Sequence, residues 1–412
     1  MLKFRIPLLS RIKFITSEKT SWRIKLIFKL FNNIKHGKLK LVTPNHRIYH
    51  FDGSDDTSSV HANLTLNSWD ALISAFSKGD VGFGEAYMKG EWSSTNLVDL
   101  FQFISINKKE LETVIRGKKL FLIYEWIVHR LNFNSKKNAK SNISAHYDLS
   151  NDFYKLFLDP TMTYSSAFYG ANHKLSLRDA QVNKYRQVIS LCKDMDENFS
   201  VLELGCGWGG FAKILLEETS ANYLGITLSK NQYNYVNETL SQYIGGEKCS
   251  FEILDYRNVL GKFDLIVSIE MFEAVGVAYW SKYFQSIKTH LKPNGKALIQ
   301  TILIHDSKFM KYKKGIDFIQ SYIFPGGMLA SESIFKKEVE KADLKITNEL
   351  WFRHDYARTL KEWQILFEKN IDKIESLGMD RKFCNMWRFY LSYCEAGFRM
   401  GDIEVAQFTL QN

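Results

Sequence analysis

The sequence has few cysteines and no long apolar run. Its five cysteines (Cys192, Cys206, Cys249, Cys384, Cys394) are odd in number and form no C-x-x-C pair, so neither a disulfide framework nor a zinc site is indicated. No uncharged apolar stretch approaches the ~18 residues of a membrane span, and "IPLLS" near the start is too short for a signal-peptide core. The sequence therefore predicts a cytoplasmic chain with no bound metal.

Acidic residues are almost missing from the first 40 positions. This stretch holds 11 Lys or Arg and one acid, Glu18, which leaves 44 basic and 44 acidic residues beyond it. The whole net charge of +10 therefore sits in an N-terminal arm. A neutral body lacks the basic face that a nucleic-acid track would need, so we expect no nucleic-acid partner.

The arm, residues 1–36, contains the segment "SWRIKLIFKLFNNI". Helical spacing brings its apolar side chains near one face, with basic side chains interrupting or flanking it: Trp22, Ile27, Leu30, Phe31 and Ile34, with Arg23, Lys25 and Lys29. A basic amphipathic helix of this kind is typical of an anionic membrane surface. The alternative is that the apolar face packs on the protein's own body. We favour the membrane and expect a peripheral location at its inner face.

The rest of the chain divides at a polar segment, "NSKKNAKSNI", residues 134–143, which we predict to be a linker. Short strands and helices precede it over 37–133. From about residue 180, strands such as "SVLEL", "NYLGI" and "FDLIVS" alternate with helices, which predicts a doubly wound α/β sheet over 144–412. Ligands bind such sheets at the carboxyl ends of the strands.

The glycine loop "VLELGCGWGG" follows the first of these strands. Gly205, Gly207 and Gly209 leave bare backbone where a ligand approaches a helix N-terminus. Their spacing is not that of a dinucleotide loop, and no acid ends the second strand to hold a ribose. Asp255 of "LDYR" could accept a bond from an adenine amine. Together these features favour S-adenosylmethionine (SAM) over NAD.

Two carboxylates, Glu270 and Glu273, follow the apolar strand in "FDLIVSIEMFEAVG". A carboxylate in apolar company costs several kcal/mol unless something pairs with it. The pair therefore indicates a functional site at this end of the sheet.

Seven ordered motifs make the chain resemble the cyclopropane-fatty-acyl-phospholipid synthase family, which includes the mycolic-acid cyclopropane synthases. They are "HYDLSNDFYKLFLDPTMTYSSAFY", "VLELGCGWGG", "GITLSKNQ", "DYR", "EMFEAVG", "YIFPGG" and "YLSYCEAGFRMG". The resemblance implies a class I SAM-dependent methyltransferase fold, Rossmann-like and doubly wound, preceded by a small α+β lipid-engaging domain.

The resemblance also implies a set of cofactor-binding residues. Tyr164 and Ser165 would meet the methionine part of SAM, and Gly205, Cys206, Gly207 and Gly209 would form the loop beneath it. The ribose and adenine would meet the remaining members of the set: Thr227, Leu228, Ser229, Gln232, Asp255 and Tyr256.

The implied reaction is methyl transfer to a double bond in a phospholipid acyl chain. It leaves a carbocation, from which bound bicarbonate removes a proton as the ring closes. Glu273 matches the residue that holds the bicarbonate, and the matching contacts are Tyr322 and the backbone of Ile302. Cys394 matches a cysteine once taken as catalytic, although a buried helix thiol explains it better. Tyr164, Phe168 and Phe272 are aromatic candidates to face the cation.

Two positions depart from the best-known bacterial pattern. Ser166 stands where a cysteine is usual, and Gln300 where a histidine is usual; both can still donate hydrogen bonds to bicarbonate. They leave open whether the product is a ring, a methyl branch or a methylene.

Three other functions remain as alternatives: a small-molecule N-methyltransferase, a nucleic-acid methyltransferase and a catalytically silent lipid-binding protein. Residues 1–130 count against the small-molecule N-methyltransferase, which needs no lipid domain or basic arm. The absence of the motif [DN]-P-P-[YF] counts against the nucleic-acid methyltransferase. The intact SAM loop counts against the silent lipid-binding protein. A homodimer is possible.

Overall fold

The computed structural model describes residues 22–55, 58–112, 149–172, 174–244 and 248–412. The predicted linker at 134–143 and most of the predicted arm lie outside these residues. No helix in the described ranges is both long and apolar enough to cross a membrane.

The N-terminal unit is a four-stranded sheet covered by helices. Its elements are α1 (Trp22–Phe31), β1 (Lys38–Val42), β2 (Ile48–Asp52), β3 (His61–Leu66), α2 (Asp70–Met88), β4 (Trp92–Ser93), α3 (Leu97–Ile106) and α4 (Lys108–Glu112). The strand order is β2-β1-β3-β4, with β1 antiparallel to β2 and parallel to β3. In β1, Leu39 and Leu41 are buried while Lys38 and Lys40 are exposed, because successive side chains point to opposite faces. The glycine-punctuated segment after residue 78 is helical, with a break at Gly79.

The apolar face of α1 packs on this sheet. Ile27 and Leu30 are buried, and the ring of Phe28 meets Tyr49 and Phe51 edge-on with centroids 5.5 and 5.6 Å apart. Our expectation that this face lies on a membrane is therefore wrong, since the protein's own body covers it. Lys25 and Lys29 stay exposed on the opposite side.

The second unit contains the large sheet. Its first half comprises α5 (Asn151–Lys155), α6 (Leu177–Ile189), β5 (Ser200–Leu204), α7 (Gly210–Glu218), β6 (Asn222–Thr227), α8 (Lys230–Thr239), β7 (Cys249–Ile253), β8 (Phe263–Ile269), α9 (Trp280–His290) and β9 (Leu291–Ile304). Its second half comprises α10 (Asp306–Tyr312), α11 (Phe318–Tyr322), β10 (Ala330–Ser331), α12 (Glu332–Lys341), β11 (Lys345–Trp351), α13 (Arg353–Lys369), α14 (Ile371–Ser376), α15 (Arg381–Met400) and β12 (Ile403–Gln411).

Strands of the large sheet run in the order β11-β12-β9-β8-β5-β6-β7, with β10 paired to the end of β9. The strands from β9 to β7 are parallel, which confirms the predicted doubly wound sheet. β12 lies antiparallel to both β9 and β11. The carboxyl ends of β5, β6 and β8 consequently meet at one edge, where the candidate residues lie.

The two units share one core. The ring of Phe389 on α15 lies 4.8 Å from Phe101 of α3 and 4.2 Å from Phe318 of α11, centroid to centroid. Ser105 of α3 also donates to Asp402 at 2.8 Å. The N-terminal unit is thus fixed against the elements that border the large sheet.

The close approach of α2 to α11 gives a test of this packing. A Cβ at Gly84 would lie 2.3 Å from the Phe318 ring, so Gly84→Ala should force the helices apart and lower the free energy of unfolding by about 1–3 kcal/mol. In Gly315→Ala the new Cβ meets nothing closer than 3.8 Å, and stability should change by no more than about 0.5 kcal/mol. Urea unfolding measures both, and a Gly84→Ala protein as stable as the wild type would contradict the packing.

Candidate active site

The glycine loop turns the chain from β5 into α7. Gly205, Gly207 and Gly209 all hold positive φ, at 78°, 55° and 80°, a region that side chains with a Cβ rarely adopt. The N–H groups of Gly205 and Cys206 donate to the carbonyl of Ile226, at 2.9 and 3.0 Å. A Cβ at Gly207 would meet no protein atom within 4 Å, so this glycine borders open space.

A cavity lies beside the loop, at the carboxyl ends of the strands. Nine of the twelve residues predicted to bind the cofactor line it: Tyr164, Ser165, Gly205, Cys206, Gly207, Thr227, Leu228, Gln232 and Tyr256. Hydroxyl groups, an amide and bare backbone match the polar groups of a nucleoside joined to an amino acid. The residues present therefore fit SAM.

The other three predicted cofactor residues lie away from the cavity lining. Gly209 sits against α8, where a Cβ would come within 2.8 Å of Leu240. Ser229 caps α8, its hydroxyl accepting from the N–H of Gln232 at 3.3 Å. Asp255 accepts from its neighbour Arg257, whose Nε is 2.7 Å away. Its carboxylate thus faces a cation of the same chain.

Sequence reasoning missed a polar layer behind the cavity. Lys184 of α6 is fully buried and donates to the Ser165 hydroxyl at 2.6 Å. Glu203, at the end of β5, lines the cavity and accepts a hydrogen bond from the Tyr223 hydroxyl. Burial lowers the pKa of Lys184 to about 7 and raises the pKa of Glu203 to about 8. Glu203 within the apolar strand "SVLEL" was a signal that the sequence offered, whereas Lys184 stands in a polar helical segment that gave none.

Glu270 occupies the turn at the end of β8. Its φ of 52° lies in the left-handed region, and its side chain lines the cavity. Oε1 accepts from the backbone N–H of Ser166 and from Nε2 of Gln300, both at 2.8 Å. Oε2 accepts from the hydroxyl of Tyr356 at 2.6 Å. Burial raises the pKa of this carboxyl, although the three donors favour its charged form.

Glu273 lies one turn further on. Its Oε1 accepts from the backbone N–H of Ile302 and from the Thr301 hydroxyl, at 2.9 Å for the latter. Its Oε2 is buried and has no hydrogen-bond partner among the described residues. Burial, and next the charge of Glu270, raise the pKa of Glu273 to about 8. The pKa of each carboxyl is therefore raised, and only Glu270 has hydrogen-bond donors on both of its oxygens among the described residues.

The structure brings together four of the six predicted catalytic residues: Ser166, Gln300, Glu273 and Ile302. Ser166, Gln300 and Ile302 donate to the carboxyl groups of Glu270 and Glu273. A bound bicarbonate would have to replace these contacts.

Tyr322 and Cys394 lie apart from this cluster. The hydroxyl of Tyr322 donates to Glu85 of α2 at 2.8 Å, and its predicted contact with bicarbonate stays a prediction. Tyr356, which the sequence did not reveal, supplies a tyrosine hydroxyl to the cluster. Burial raises the pKa of Cys394 far above its ordinary value, and its uncharged thiol is a poor nucleophile. Phe272 packs in the core against Trp280 and Tyr283, away from the cavity.

The parallel sheet, the glycine loop and the cavity at the strand ends define a SAM-dependent methyltransferase. The comparisons with known proteins narrow this class. Residues 134–408 match the family model of mycolic acid cyclopropane synthetase, and the chain belongs to that family.

Similar proteins extend over most of the chain. The tuberculostearic acid methyltransferase UfaA1 of Mycobacterium tuberculosis is 34% identical over 374 residues, which cover 87% of this chain and 86% of that protein. The cyclopropane-fatty-acyl-phospholipid synthase of Escherichia coli K12 is 31% identical, covering 85% and 87%. A crystal structure of mycolic acid cyclopropane synthase CmaA1 complexed with SAH and CTAB superposes with a TM-score of 0.61 at 30% identity, covering 66% of this chain and 98% of that one.

Gly207 provides the test of the cofactor cavity. Its missing side chain leaves open space, so Gly207→Val should fill the place where the cofactor meets the backbone and abolish SAM binding in calorimetry. Gly378→Val is the matched control, because Gly378 also has positive φ and an open Cβ direction but lies at an exposed turn after α14. Normal SAM affinity in Gly207→Val would place the cofactor elsewhere.

Proposed function

We propose that the protein transfers the methyl group of SAM to the double bond of an unsaturated phospholipid acyl chain and gives a cyclopropane fatty acid. The support comes from two relatives, one named for cyclopropane-fatty-acyl-phospholipid synthesis and one for tuberculostearic acid methylation, which align with 85% and 87% of this chain. The observation that carries the proposal is the pair Glu270 and Glu273 beside the cofactor cavity.

The chemistry needs a dry site that stabilises a cation. SAM, when bound, supplies an electrophilic methyl group on a sulfonium. The π electrons of the alkene would form the new carbon–carbon bond as the sulfur–methyl bond breaks, which would leave S-adenosylhomocysteine and a positive charge on the acyl chain. The ring of Tyr164 lines the cavity, and Trp363 and Phe324 lie 5.3 and 6.4 Å from it, centroid to centroid. Aromatic faces attract a cation without offering a nucleophile that would trap it.

The cation must next lose a proton to a base. Bicarbonate is the base that the family resemblance implies, but binding it here would require Ser166 and Gln300 to release Glu270. Glu270 already lines the cavity, and its carboxyl group is held by three donors. We therefore assign the proton to Glu270 and derive no step through bicarbonate.

The position of the cation when the proton is lost decides the product. If the cation stays on the neighbouring chain carbon, loss of a proton from the transferred methyl group closes a cyclopropane ring. If a 1,2-hydride shift first moves the cation to the methyl-bearing carbon, loss of the same methyl proton leaves a methylene branch. The similarity to a tuberculostearic acid methyltransferase supports such branching as the second candidate outcome. Both outcomes share the same methyl transfer and the same base.

A membrane partner remains part of the proposal. Residues 1–21 contain five Lys or Arg and one acid, and Lys25 and Lys29 are exposed on α1. Each basic residue near an anionic surface contributes about 1 kcal/mol. Charge, rather than the buried apolar face of α1, would hold the protein at the inner face of the membrane.

Replacing Glu270 tests the base. Glu270→Gln keeps the shape of the side chain but removes its charge, so turnover should fall by roughly 10²-fold or more while SAM affinity stays close to the wild type. The assay is mass spectrometry of fatty acids after incubation with SAM and unsaturated phospholipid vesicles. Turnover of the wild type should not change when bicarbonate is rigorously removed.

Glu273→Gln is the matched variant for that experiment. A carboxyl with a pKa of about 8 is mostly neutral at pH 7. Replacing it with a neutral amide should therefore lower turnover by less than roughly tenfold. The opposite pattern would be a large loss in Glu273→Gln, little loss in Glu270→Gln and a wild type that needs bicarbonate. That pattern would assign the proton to bicarbonate held by Glu273.

Truncation tests the arm. A protein lacking residues 1–21 keeps α1 and the core that α1 covers, but it loses four net positive charges. Its binding to anionic vesicles in a pelleting assay should weaken, and less so at high salt. SAM affinity is the internal control and should be unchanged. Undiminished pelleting would refute the electrostatic role of the arm.

A further inference from the structure

Lys184 is a buried cation whose hydrogen-bond acceptors, Ser165 and Gln181, are neutral. It is 0% exposed, and Nζ donates to the hydroxyl of Ser165 at 2.6 Å and to Oε1 of Gln181 at 2.7 Å. The Tyr185 ring lies 4.7 Å from Nζ, measured to its centroid. Lys184 forms no salt bridge with any carboxylate that the structure describes. A buried ammonium in this state is costly unless an anion accompanies it.

Ser165 connects Lys184 to the cavity. Its side chain lines the cavity, and its carbonyl accepts from Nε2 of Gln181 at 2.9 Å. A hydroxyl that accepts from an ammonium keeps its own hydrogen to donate. Lys184 and Gln181 therefore fix Ser165 from behind and leave its O–H available to an acceptor in the cavity.

We propose that Lys184 is the counter-charge for the carboxylate of the methionine part of SAM, and that it acts through the hydroxyl of Ser165. SAM carries one carboxylate, and the lysine is otherwise the uncompensated charge behind the cavity wall. Lys184 is a positioning residue: it orients Ser165 and lowers the cost of burying the anion. The inference depends on cofactor binding alone and not on the proposed lipid substrate.

This role couples cofactor binding to the uptake of a proton by Lys184. Burial lowers the pKa of Lys184 to about 7 against the attraction of three carboxylates, Glu270, Asp159 and Glu203. An anion bound nearby raises that pKa, so the protein takes up a proton on binding between pH 7 and 8. Cofactor affinity is then highest below pH 7 and falls as the pH rises through that range.

Besides Glu270 and Asp159, the titratable groups beside Lys184 are Glu203 and Tyr185. Burial raises the pKa of Glu203 to about 8 and that of Tyr185 well above 10, so Tyr185 stays neutral. If the cofactor's ammonium group met Glu203, the carboxyl would lose a proton on binding. That release has the opposite sign, so the direction of proton exchange distinguishes the two groups.

The test compares two ligands by calorimetry with the full chain. S-Adenosylhomocysteine carries the carboxylate, and 5′-methylthioadenosine lacks it. Lys184→Met should weaken the binding of S-adenosylhomocysteine roughly 10- to 100-fold, as for the loss of a charge-assisted hydrogen bond. The affinity for 5′-methylthioadenosine should not change. Lys213→Met, at an exposed position on α7, should change neither affinity.

Proton exchange gives the second readout. Calorimetry at pH 7.5 in buffers of different ionisation enthalpy should show proton uptake when S-adenosylhomocysteine binds the wild type, and none in Lys184→Met. Equal losses for both ligands would reduce Lys184 to a structural role and overturn the proposal. An unchanged affinity for S-adenosylhomocysteine, or proton release by the wild type, would overturn it as well.

Discussion

The carboxylate of Glu270 joins segments of the chain that are far apart in sequence. It accepts from Ser166 in the loop after α5, from Gln300 in β9 and from Tyr356 in α13. Gln407 of β12 in turn donates to Oε1 of Gln300 at 3.0 Å, which fixes the amide so that Nε2 faces Glu270. One carboxyl group thereby sets the relative positions of the loop that carries Ser166, strands β9 and β12, and helix α13.

The conformation of Glu270 has a cost that these contacts offset. A non-glycine residue at positive φ is strained by about 1–3 kcal/mol, and hydrogen bonds to a charged group contribute about 1.5–3 kcal/mol each. The left-handed turn directs the chain from β8 toward Glu273, whose carboxyl then lies close enough to feel the charge of Glu270. The strain and the raised pKa of Glu273 thus follow from placing two carboxyls at the end of one strand.

Hydrophobic periodicity predicted the large sheet, because buried parallel strands such as β5 and β8 read as short apolar runs bounded by glycine or charge. It also marked the apolar face of α1. It did not show what covers that face, since burial on the protein and burial in a membrane produce the same pattern. Glycine spacing located the cofactor loop because positive φ depends on local sequence.

Side-chain partners in the site could not be predicted in the same way. Tyr356 lies 86 residues from Glu270, and Lys184 lies 19 from Ser165, so nothing local ties the members of each pair. The resemblance pointed to Tyr322 because it stands in a shared motif, but the fold turns its hydroxyl toward Glu85. The contact of Asp255 with Arg257, two residues further on, was likewise not predicted from the sequence.

The two departures from the family pattern become intelligible around Glu270. Ser166 uses its backbone N–H for the carboxylate, while its hydroxyl donates to the carbonyl of Ala167 at 2.9 Å, so the contact does not depend on a cysteine side chain. Gln300 offers a neutral donor to Glu270 and a neutral acceptor to Gln407 at any pH, which a titrating histidine would not. A resident carboxylate therefore explains why serine and glutamine suffice at these two positions.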